Sequence, residues 1–392
     1  MSLNPHSKKH LYNYGNLFKR EFKQDFFGSA PAPFVGRFGY PNISVGILSP
    51  SEITQEAWKF DAPEYWSSQN MRIPEVLNYR SQLVNSKFTT TITNVRAFEP
   101  NRYLSMAQEI ALSHKPVDVE INLEKAPHFF MNYGREILPM GPNASLKKMY
   151  MTENAKIQKP VEKVFSDTDM AAVQGLNYLY SKGYSTNFLS EILSVGTLGV
   201  KKNRKLVPTR WSITAVDDNI CLNLLKEIKQ DAINSKYCAY FGGYLSNYYL
   251  VLFFPDVFSY ELFEVDLQSK KVWTDNEFYG GRKEYASNCV GGYYAARLAI
   301  CEKLKQNKKQ SSVLTLRFTT SEYDVPMGVW VVREATRKAM QSKPIEFASK
   351  ELLLDFAQKF IKTKFGYDIA WIFKESKLMN YMSKQRKLFD FS

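Results

Sequence analysis

The sequence has few of the residues that usually bind metals or cross-link a chain. It contains four cysteines and four histidines in 392 residues. These residues form neither a C-x-x-C pair nor an H-E-x-x-H motif. The pattern therefore does not favour a zinc ribbon, a His/Cys metal cluster or a disulfide framework, and we expect no metal site of these kinds.

Long apolar runs are also missing. The longest, Tyr248–Phe254, is far shorter than the roughly 20 residues that a membrane-spanning helix requires. The N-terminal stretch MSLNPHSKKHLYNYG is polar and lacks the apolar core of a secretion signal. From these absences we expect a soluble, cytoplasmic protein with no membrane partner.

Acidic residues are outnumbered by basic ones. Lys plus Arg is 52 and Asp plus Glu is 39, which gives a formal net charge of +13. Apolar residues make up 44% and charged residues 23%, a composition typical of globular proteins. The positive excess favours a polyanionic partner, either nucleic acid or an anionic membrane surface, but it does not indicate a fold.

Strand-like and helix-like segments alternate irregularly along the chain. Gly and Pro divide Phe26–Pro50 into short strands joined by turns, and Val117–Leu123 has the alternating pattern of a strand. Tyr248–Phe254 is typical of a strand buried on both faces. Ser349–Phe365 is the clearest helix, with a capping serine and Gly366 directly after it. This mixture predicts an α+β fold of mixed sheets and packed helices, not a regular doubly wound fold.

Two further segments rich in β-branched residues predict strands. They are Ser212–Val216 and Val329–Val332, and the second is expected to run into a helix at Glu334. A helix is also expected after the first segment. Asp217 or Asp218 would then lie at the N-cap of that helix, where a carboxylate satisfies free backbone N–H groups.

The first candidate binding segment is VGRFGYP, Val35–Pro41. Its glycines at 36 and 39 would let the backbone approach a ligand closely, and Arg37 would supply a forked donor for phosphate or carboxylate. The alternative is a tight turn whose arginine is paired with a core carboxylate. The sequence does not distinguish the two.

The second candidate segment is LVPTRWSITAVDD, residues 206–218, which follows a local strip of positive charge. Arg210 could clamp a phosphate while Trp211 stacks on a base. Paired carboxylates at Asp217 and Asp218 could instead hold Mg²⁺ beside the basic residues. The alternative is a structural turn with a solvated basic loop. The basic strip consists of Lys201, Lys202, Arg204 and Lys205.

A third segment, Trp273–Arg297, contains two glycine pairs beside polar side chains. Glu277 and its neighbours could line a cleft, but close packing of a helix against Gly291 and Gly292 is the favoured interpretation. The candidate cleft residues are Glu277, Tyr279, Arg282 and Lys283.

The fourth segment is the C-terminal stretch MSKQRKLFDFS. Gln385, Leu388 and Phe391 are spaced so that one short helical turn would present an apolar plug and a separate amide. This pattern resembles the peptide with which many replication and repair proteins bind the sliding clamp PCNA. The usual pattern ends in two adjacent aromatics, whereas here Phe389 comes one position early and Ser392 follows Phe391. The alternative is a basic tail with incidental aromatics.

Three longer motifs, VGRFGYPNISVG, VPTRWSITAVDD and GVWVVREATRKA, together resemble the archaeal Nre family of DNA-repair proteins. The resemblance extends from about Phe26 to the end of the chain. It implies a role in DNA repair and a C-terminal clamp-binding peptide. Many members also begin with a cysteine-rich zinc motif, which this chain cannot form because no cysteine precedes Cys221. The expected domains are a basic arm (1–25), an Nre-like N-terminal domain (26–285), an Nre-like C-terminal domain (286–380) and a clamp-binding tail (381–392).

The main hypothesis is a DNA-repair factor that PCNA recruits through Gln385, Leu388, Phe389 and Phe391 and whose basic body contacts DNA. An alternative is an enzyme that acts on a nucleotide or nucleic-acid phosphate, with Mg²⁺ as its possible cofactor. A third is an adaptor without nucleic-acid contacts. The candidate DNA contacts are Arg37, Lys201, Lys202, Arg204, Lys205, Arg210 and Trp211. The candidate catalytic residues are Arg37, Arg210, Asp217 and Asp218, with Glu277 and Arg282 as additions.

Overall fold

A computed structural model describes residues 20–129, 131, 133 and 136–384. The described chain forms two compact units. The first contains the chain up to Ile220 together with Asp324–Trp330, and the second contains Cys221–Tyr323 together with the chain from Val331 onward. The expected domain boundary at 285/286 differs from this division by contacts, and the four-part domain assignment stays a prediction.

The first unit is built on a six-stranded mixed sheet with the strand order β1-β5-β6-β4-β3-β2. Neighbouring strands are antiparallel except for β4 and β6, which are parallel. Burial alternates residue by residue along β5, as the sequence pattern predicts. The strands are β1 (Asp25–Ala30), β2 (Ala32–Val35), β3 (Asn42–Ser49), β4 (Val84–Thr91), β5 (Val117–Leu123) and β6 (Asn143–Met151).

Six complete helices accompany this sheet in the described part of the first unit. They are α1 (Pro63–Ser68), α2 (Ile73–Ser81), α3 (Arg102–Leu112), α4 (Lys159–Ser166), α5 (Ala172–Ser181) and α6 (Thr186–Ser194). Three short 3₁₀ helices lie between these elements, at Ala57–Asp61, Asn94–Arg96 and Lys201–Asn203. The turn-rich segment Phe26–Pro50 folds as β1, β2 and β3, as expected.

The strand predicted at Ser212–Val216 is wrong, because these residues belong to α7 (Thr209–Ile228). The buried positions of this stretch follow the spacing of a helix and not the alternation of a strand, so tertiary burial overrides the β propensity of Ile and Val. Asp217 and Asp218 therefore lie inside the helix and not at its N-cap. The buried positions are Ser212, Ile213, Val216, Asp217, Ile220 and Cys221.

The second unit is also built on a six-stranded mixed sheet, with the strand order β10-β9-β11-β8-β7-β12. Only β9 and β11 pair in parallel among its described strands. The strands are β7 (Tyr237–Tyr244), β8 (Asn247–Phe254), β9 (Ser259–Asp266), β10 (Val272–Glu277), β11 (Ser312–Thr319) and β12 (Ile345–Phe347). The predicted apolar strand Tyr248–Phe254 is thus confirmed as part of β8.

One face of this second sheet packs on α10 (Lys350–Phe365), α11 (Ala370–Glu375) and α12 (Lys377–Lys384). Helix α10 was predicted correctly from apolar positions that recur at helical spacing, and its end was predicted from Gly366. Ser349 Oγ accepts a hydrogen bond from Leu352 N at 3.3 Å, and Gly366 ends the helix with φ +67°. The unit also contains α8 (Gly291–Asn307) and most of α9 (Trp330–Gln341).

The strand predicted at Val329–Val332 is wrong. Helix α9 already begins at Trp330, and its buried residues Val331, Val332, Ala335 and Ala339 recur with helical spacing. A valine-rich run buried on a helix cannot be told from a buried strand by its composition. The α+β fold class is nevertheless confirmed by the two mixed sheets and their helices. No helix in the described ranges is long and apolar enough to cross a membrane.

Candidate nucleic-acid interface

The loop between β2 and β3 presents one cation and two aromatic rings to solvent. Gly36 N donates to Ser44 O and Asn42 N to Gly39 O, both at 2.8 Å, so the loop is closed at its base and within its tip. Gly39 has φ +84°, a conformation that glycine adopts at little cost. The exposed residues of the loop include Arg37, Phe38 and Tyr40. The loop therefore holds these side chains on a defined turn.

Arg37 packs on the neighbouring ring of Phe38. The guanidinium carbon lies 4.8 Å from the centroid of the ring, within the range of a cation–π contact. No carboxylate in the described ranges forms an ion pair with Arg37, which is exposed. Of the two interpretations that the sequence left open, a turn with an outward-facing cation fits the geometry better than a core ion pair.

Backbone hydrogen bonds join this loop to the segment that carries the basic strip. Ile92 N donates to Pro41 O at 3.0 Å, and Leu206 N donates to Ile92 O at 2.9 Å. Ile92 follows β4 directly, so the end of that strand links two segments that are far apart in sequence. The sequence-predicted cations at Arg37 and at Lys201–Lys205 thus belong to neighbouring segments of the first unit.

The start of α7 contacts the same loop. Thr209 Oγ1 accepts a hydrogen bond from Val35 N at 2.9 Å. The rings of Tyr40 and Trp211 lie 5.8 Å apart between centroids and are tilted by 54°. Trp211 is 47% exposed, so one part of the indole packs on Tyr40 and another part faces solvent. The two segments that the sequence singled out as candidate sites therefore come together.

The basic strip divides into exposed lysines and one buried arginine. Lys201, Lys202 and Lys205 are exposed. Arg204 is only 8% exposed, and it donates to the backbone carbonyls of Gly199, Phe165 and Asp167 at 2.7, 2.9 and 3.1 Å. Burial lowers the pKa of the Arg204 guanidinium from its ordinary value. Arg204 therefore ties its own strip to Gly199 and to the segment 165–167.

Arg210 is also engaged within the protein. Its guanidinium forms a two-point ion pair with Glu136, with Nε facing one carboxylate oxygen and Nη2 the other. Such a fork-to-carboxylate geometry is the one that would otherwise bind a phosphate. Arg210 is thus placed next to the exposed Trp211 by an internal partner, and this partner was not predicted from the sequence.

The two candidate carboxylates do not join Arg37 in an open site. Asp217 has no exposed surface and Asp218 is half-buried, two turns into α7. Arg37 is exposed on the β2–β3 loop, so the described residues do not form an open cleft that combines it with Asp217. Across the described ranges, no group of three or more His, Cys, Asp or Glu residues has the geometry to hold a metal ion.

Two exposed residues that were not predicted from the sequence lie on a segment that is hydrogen-bonded to the basic strip. Arg96 is exposed, and its Nε donates to Arg204 O at 2.6 Å. Phe98 follows two residues later and is fully exposed. The only available signal was the turn-forming run NVRAFEPN, whose arginine and phenylalanine do not fit a helix or strand pattern. We call the whole set the basic–aromatic surface: Arg37, Phe38, Tyr40, Arg96, Phe98, Lys201, Lys202, Lys205 and Trp211.

The polar residues of Trp273–Arg297, in the second unit, are mostly used in packing. Glu277 is buried and accepts from Arg297 Nη1 at 2.7 Å, and Arg282 pairs with Asp275 at 3.2 Å. A Cβ on Gly292 would lie 2.7 Å from Glu264 Oε1, which confirms that this glycine permits close packing of α8. Tyr279 and Lys283 are exposed, but Glu277 is not available to line an open cleft with them.

The predicted clamp-binding residues Gln385, Leu388, Phe389 and Phe391 lie outside the described residues. The preceding helix, α12, is attached to β9 by a buried carboxylate. Glu261 Oε1 accepts from Lys377 N at 3.1 Å, and Oε2 accepts from Leu378 N at 3.0 Å and from the Ser376 hydroxyl. Burial raises the pKa of Glu261, while these hydrogen bonds oppose the shift. The described chain thus ends in a helix that is fixed to the second sheet.

Comparisons with known proteins agree with one another. Residues 8–274 match the family described as archaeal Nre, N-terminal, and residues 277–391 match archaeal Nre, C-terminal. No solved structure matches the chain.

Curated relatives cover most of the chain. The DNA repair protein NreA of Haloferax volcanii is 33% identical over 85% of this chain and 83% of its own length. The DNA repair proteins NreB and NreA of Archaeoglobus fulgidus are 34% and 37% identical, over 94% and 86% of this chain and 92% and 85% of their own lengths. With both halves matched in order, the chain belongs to the archaeal Nre family.

Proposed function

We propose that this protein acts in DNA repair, that its basic–aromatic surface contacts DNA, and that its C-terminal peptide binds the sliding clamp PCNA. The repair role is supported by the relatives, which are named DNA repair proteins. The DNA contact rests on one observation above all. Three segments that carry exposed cations or rings and are far apart in sequence are joined to one another in the first unit, by backbone hydrogen bonds through Ile92 and by the Tyr40–Trp211 ring contact.

The exposed cations supply the electrostatic part of the interaction. Arg37, Arg96, Lys201, Lys202 and Lys205 all face solvent. Cations of this kind bind DNA chiefly by neutralising phosphates and releasing condensed counterions. Arg37 can also present its planar fork to a phosphate while it remains packed on Phe38. The proposal assigns these side chains to the DNA backbone, which positions the protein without reading sequence.

Arg204 and Arg210 have a supporting role in this proposal. The Arg204 guanidinium donates to three backbone carbonyls, and the Arg210 guanidinium is paired with the Glu136 carboxylate. Moving either guanidinium to a phosphate would leave part-buried carbonyls or the Glu136 carboxylate without a partner, which costs up to about 1–3 kcal/mol for each group. They fix the segments from which the lysines and Trp211 project.

The clamp interaction is proposed on the sequence pattern of Gln385, Leu388 and Phe391, with Phe389 as an additional apolar contact. An apolar plug on one helical turn is a common way for a peptide to dock in a hydrophobic groove. The peptide follows α12, whose N-terminal backbone is held by Glu261. Because α12 is held in place, the peptide that follows it would start from a fixed point on the second unit.

The DNA proposal is tested by measuring binding of the full chain to labelled DNA at several salt concentrations. We expect the logarithm of the affinity to fall linearly with the logarithm of the salt concentration, because phosphate contacts release counterions. Binding that does not respond to salt, or no binding at low salt, would contradict this part of the proposal.

The clamp proposal is tested with Phe391→Ala and with deletion of residues 385–392. Both changes should abolish association with PCNA, as measured by calorimetry, while the thermal unfolding curve stays that of the unaltered chain. Lys384→Ala, at the end of α12, is the matched control and should bind the clamp normally. Undiminished clamp binding by the deletion variant would refute the proposal.

A further inference from the structure

The basic–aromatic surface exposes four aromatic rings, which are not required for binding phosphates. Phe98 is fully exposed and Phe38 is 80% exposed, while Tyr40 and Trp211 are 48% and 47% exposed. Exposed apolar surface is unfavourable at about 25 cal/mol per Å². Several large rings exposed on one surface are therefore a common mark of a binding site.

Three of these rings, those of Phe38, Tyr40 and Trp211, are carried by hydrogen-bonded backbone. The loop that carries Phe38 and Tyr40 is closed by two hydrogen bonds of 2.8 Å. Trp211 lies in the first turn of α7, where its backbone N–H donates to Pro208 O at 2.7 Å. Tyr40 packs against Trp211, and Phe38 packs against Arg37. The backbone thus presents ring faces at set positions, which lowers the entropic cost of binding a planar ligand.

One cation packs on these rings, and others lie on the segments joined to them. Arg37 is adjacent to Phe38 in sequence and in space, and Lys205 and Arg96 belong to the segments joined through Ile92 and Arg204. A ligand that contacts both the cations and the rings needs a polyanionic backbone and accessible planar faces. In duplex DNA the planar faces are hidden by stacking within the helix, whereas in a single strand they are open. Stacking of an open base on an aromatic side chain therefore adds affinity that a duplex cannot gain.

We propose that the basic–aromatic surface recognises DNA with unpaired bases, which stack on Phe38 and on the Tyr40–Trp211 pair while the lysines follow the phosphates. This inference rests on the DNA contact proposed above and adds to it the form of DNA that is bound. It assigns the aromatic residues to base stacking and the cations to the backbone, so the two groups have separable effects.

The test compares single-stranded and duplex DNA of one sequence, by fluorescence anisotropy with the full chain. The stacking variant carries Phe38→Leu and Trp211→Leu, which keep apolar bulk but remove the ring faces. We expect it to lose roughly tenfold or more of its affinity for the single strand, since about 1.4 kcal/mol is tenfold. Its affinity for the duplex and its salt dependence should stay unchanged.

A conservative variant separates stacking from simple packing. Trp211→Phe keeps a ring face and should retain more single-strand affinity than Trp211→Leu. Binding of a single strand should also quench the fluorescence of the unaltered chain more than that of Trp211→Phe, because a base stacked on the indole quenches it. Thermal unfolding should change little in these variants, because Phe38 is 80% exposed and about half of the Trp211 side chain faces solvent.

The outcomes separate this inference from the proposed function. If the unaltered chain binds single-stranded and duplex DNA equally, or if the stacking variant weakens both equally, the inference is wrong while DNA binding itself stands. Tighter binding to duplex DNA, or to RNA of the same sequence, would overturn it as well. If the unaltered chain binds no nucleic acid at low salt, both the inference and the DNA part of the proposed function fail.

Discussion

The basic–aromatic surface of the first unit and the strand ion pairs of the second unit use charged side chains in opposite ways. In the first unit, the cations of the basic–aromatic surface face solvent beside exposed rings. In the second unit, Glu277 and Arg297 form a 2.7 Å ion pair whose side chains are only 1% and 2% exposed. A similar pair, Arg317 and Glu264, lies at 2.5 Å on the neighbouring strands β11 and β9. The exposed charges are available to a ligand, whereas the paired ones hold the fold.

This comparison shows that the number of basic residues in a stretch says little about binding. Arg204 and Lys205 are neighbours in one basic strip, yet one is buried on three carbonyls and the other is exposed. Burial and partners, not sequence proximity, decide which cation can reach a phosphate. The predictions below test this distinction.

The largest effect is expected at the buried pair of the second unit. Arg297→Met would leave the Glu277 carboxylate buried without its cation, which costs about 3–5 kcal/mol of unfolding free energy. Denaturant titration measures the loss. The double variant Glu277→Gln with Arg297→Met should recover part of it, because no uncompensated charge remains. A loss below about 1 kcal/mol in the single variant would show that the pair does not support the fold.

The adjacent pair in the basic strip should give a smaller but sharper contrast. Arg204→Met removes three hydrogen bonds to part-buried carbonyls and should lower the unfolding free energy by roughly 2–3 kcal/mol. Lys205→Met should change it by less than about 0.5 kcal/mol, because the side chain is exposed. The same two variants should behave oppositely in DNA binding, with the salt dependence reduced only by Lys205→Met. Equal effects on stability would contradict the assigned roles.

A half-buried carboxylate in the first unit should make stability depend on pH. Burial raises the pKa of Glu191 well above its ordinary value, and Asp61 and Glu64 raise it further, while Arg80 opposes the shift. The folded state therefore holds a proton that the unfolded state releases, and stability should fall as pH rises above the ordinary glutamate range.

Glu191→Gln should remove this part of the pH dependence. Its amide oxygen can still accept from Asn187 Nδ2, which lies 2.6 Å from Glu191 Oε1. We expect the melting temperature of the variant to exceed that of the unaltered chain by an amount that grows with pH. If the melting temperatures of the two proteins differ by the same amount at every pH, the pKa of Glu191 is not raised in the folded state.

Local patterns predicted the elements in which one signal dominates. Val117–Leu123 alternates cleanly, and Ser349–Phe365 combines helical spacing with a cap and a terminal glycine. The predictions failed at Ser212–Val216 and in the Val329–Val332 run, where valine and isoleucine are buried on helices. In such helices burial decides the structure, and β propensity is only a weak prior.

The candidate site was predictable in its parts but not in its assembly. Arg37, Trp211 and the lysines stand out by residue type, and two of the segments were named together. Their connection through Ile92 depends on two long-range backbone hydrogen bonds, which leave no mark in the sequence. The partners of Arg204 and Arg210 are likewise set by the tertiary fold, so the sequence could not show that these two cations are internal.

The salt dependence of DNA binding, compared between the unaltered chain and a Lys201→Ala, Lys202→Ala and Lys205→Ala triple variant, tests the central claim most directly. Each phosphate contact contributes about 0.9 to the slope of log affinity against log salt for duplex DNA, and about 0.7 for a single strand. We predict that the triple variant keeps its fold and loses roughly 2–3 from the slope. An unchanged slope in a folded triple variant would contradict the claim that this surface contacts DNA.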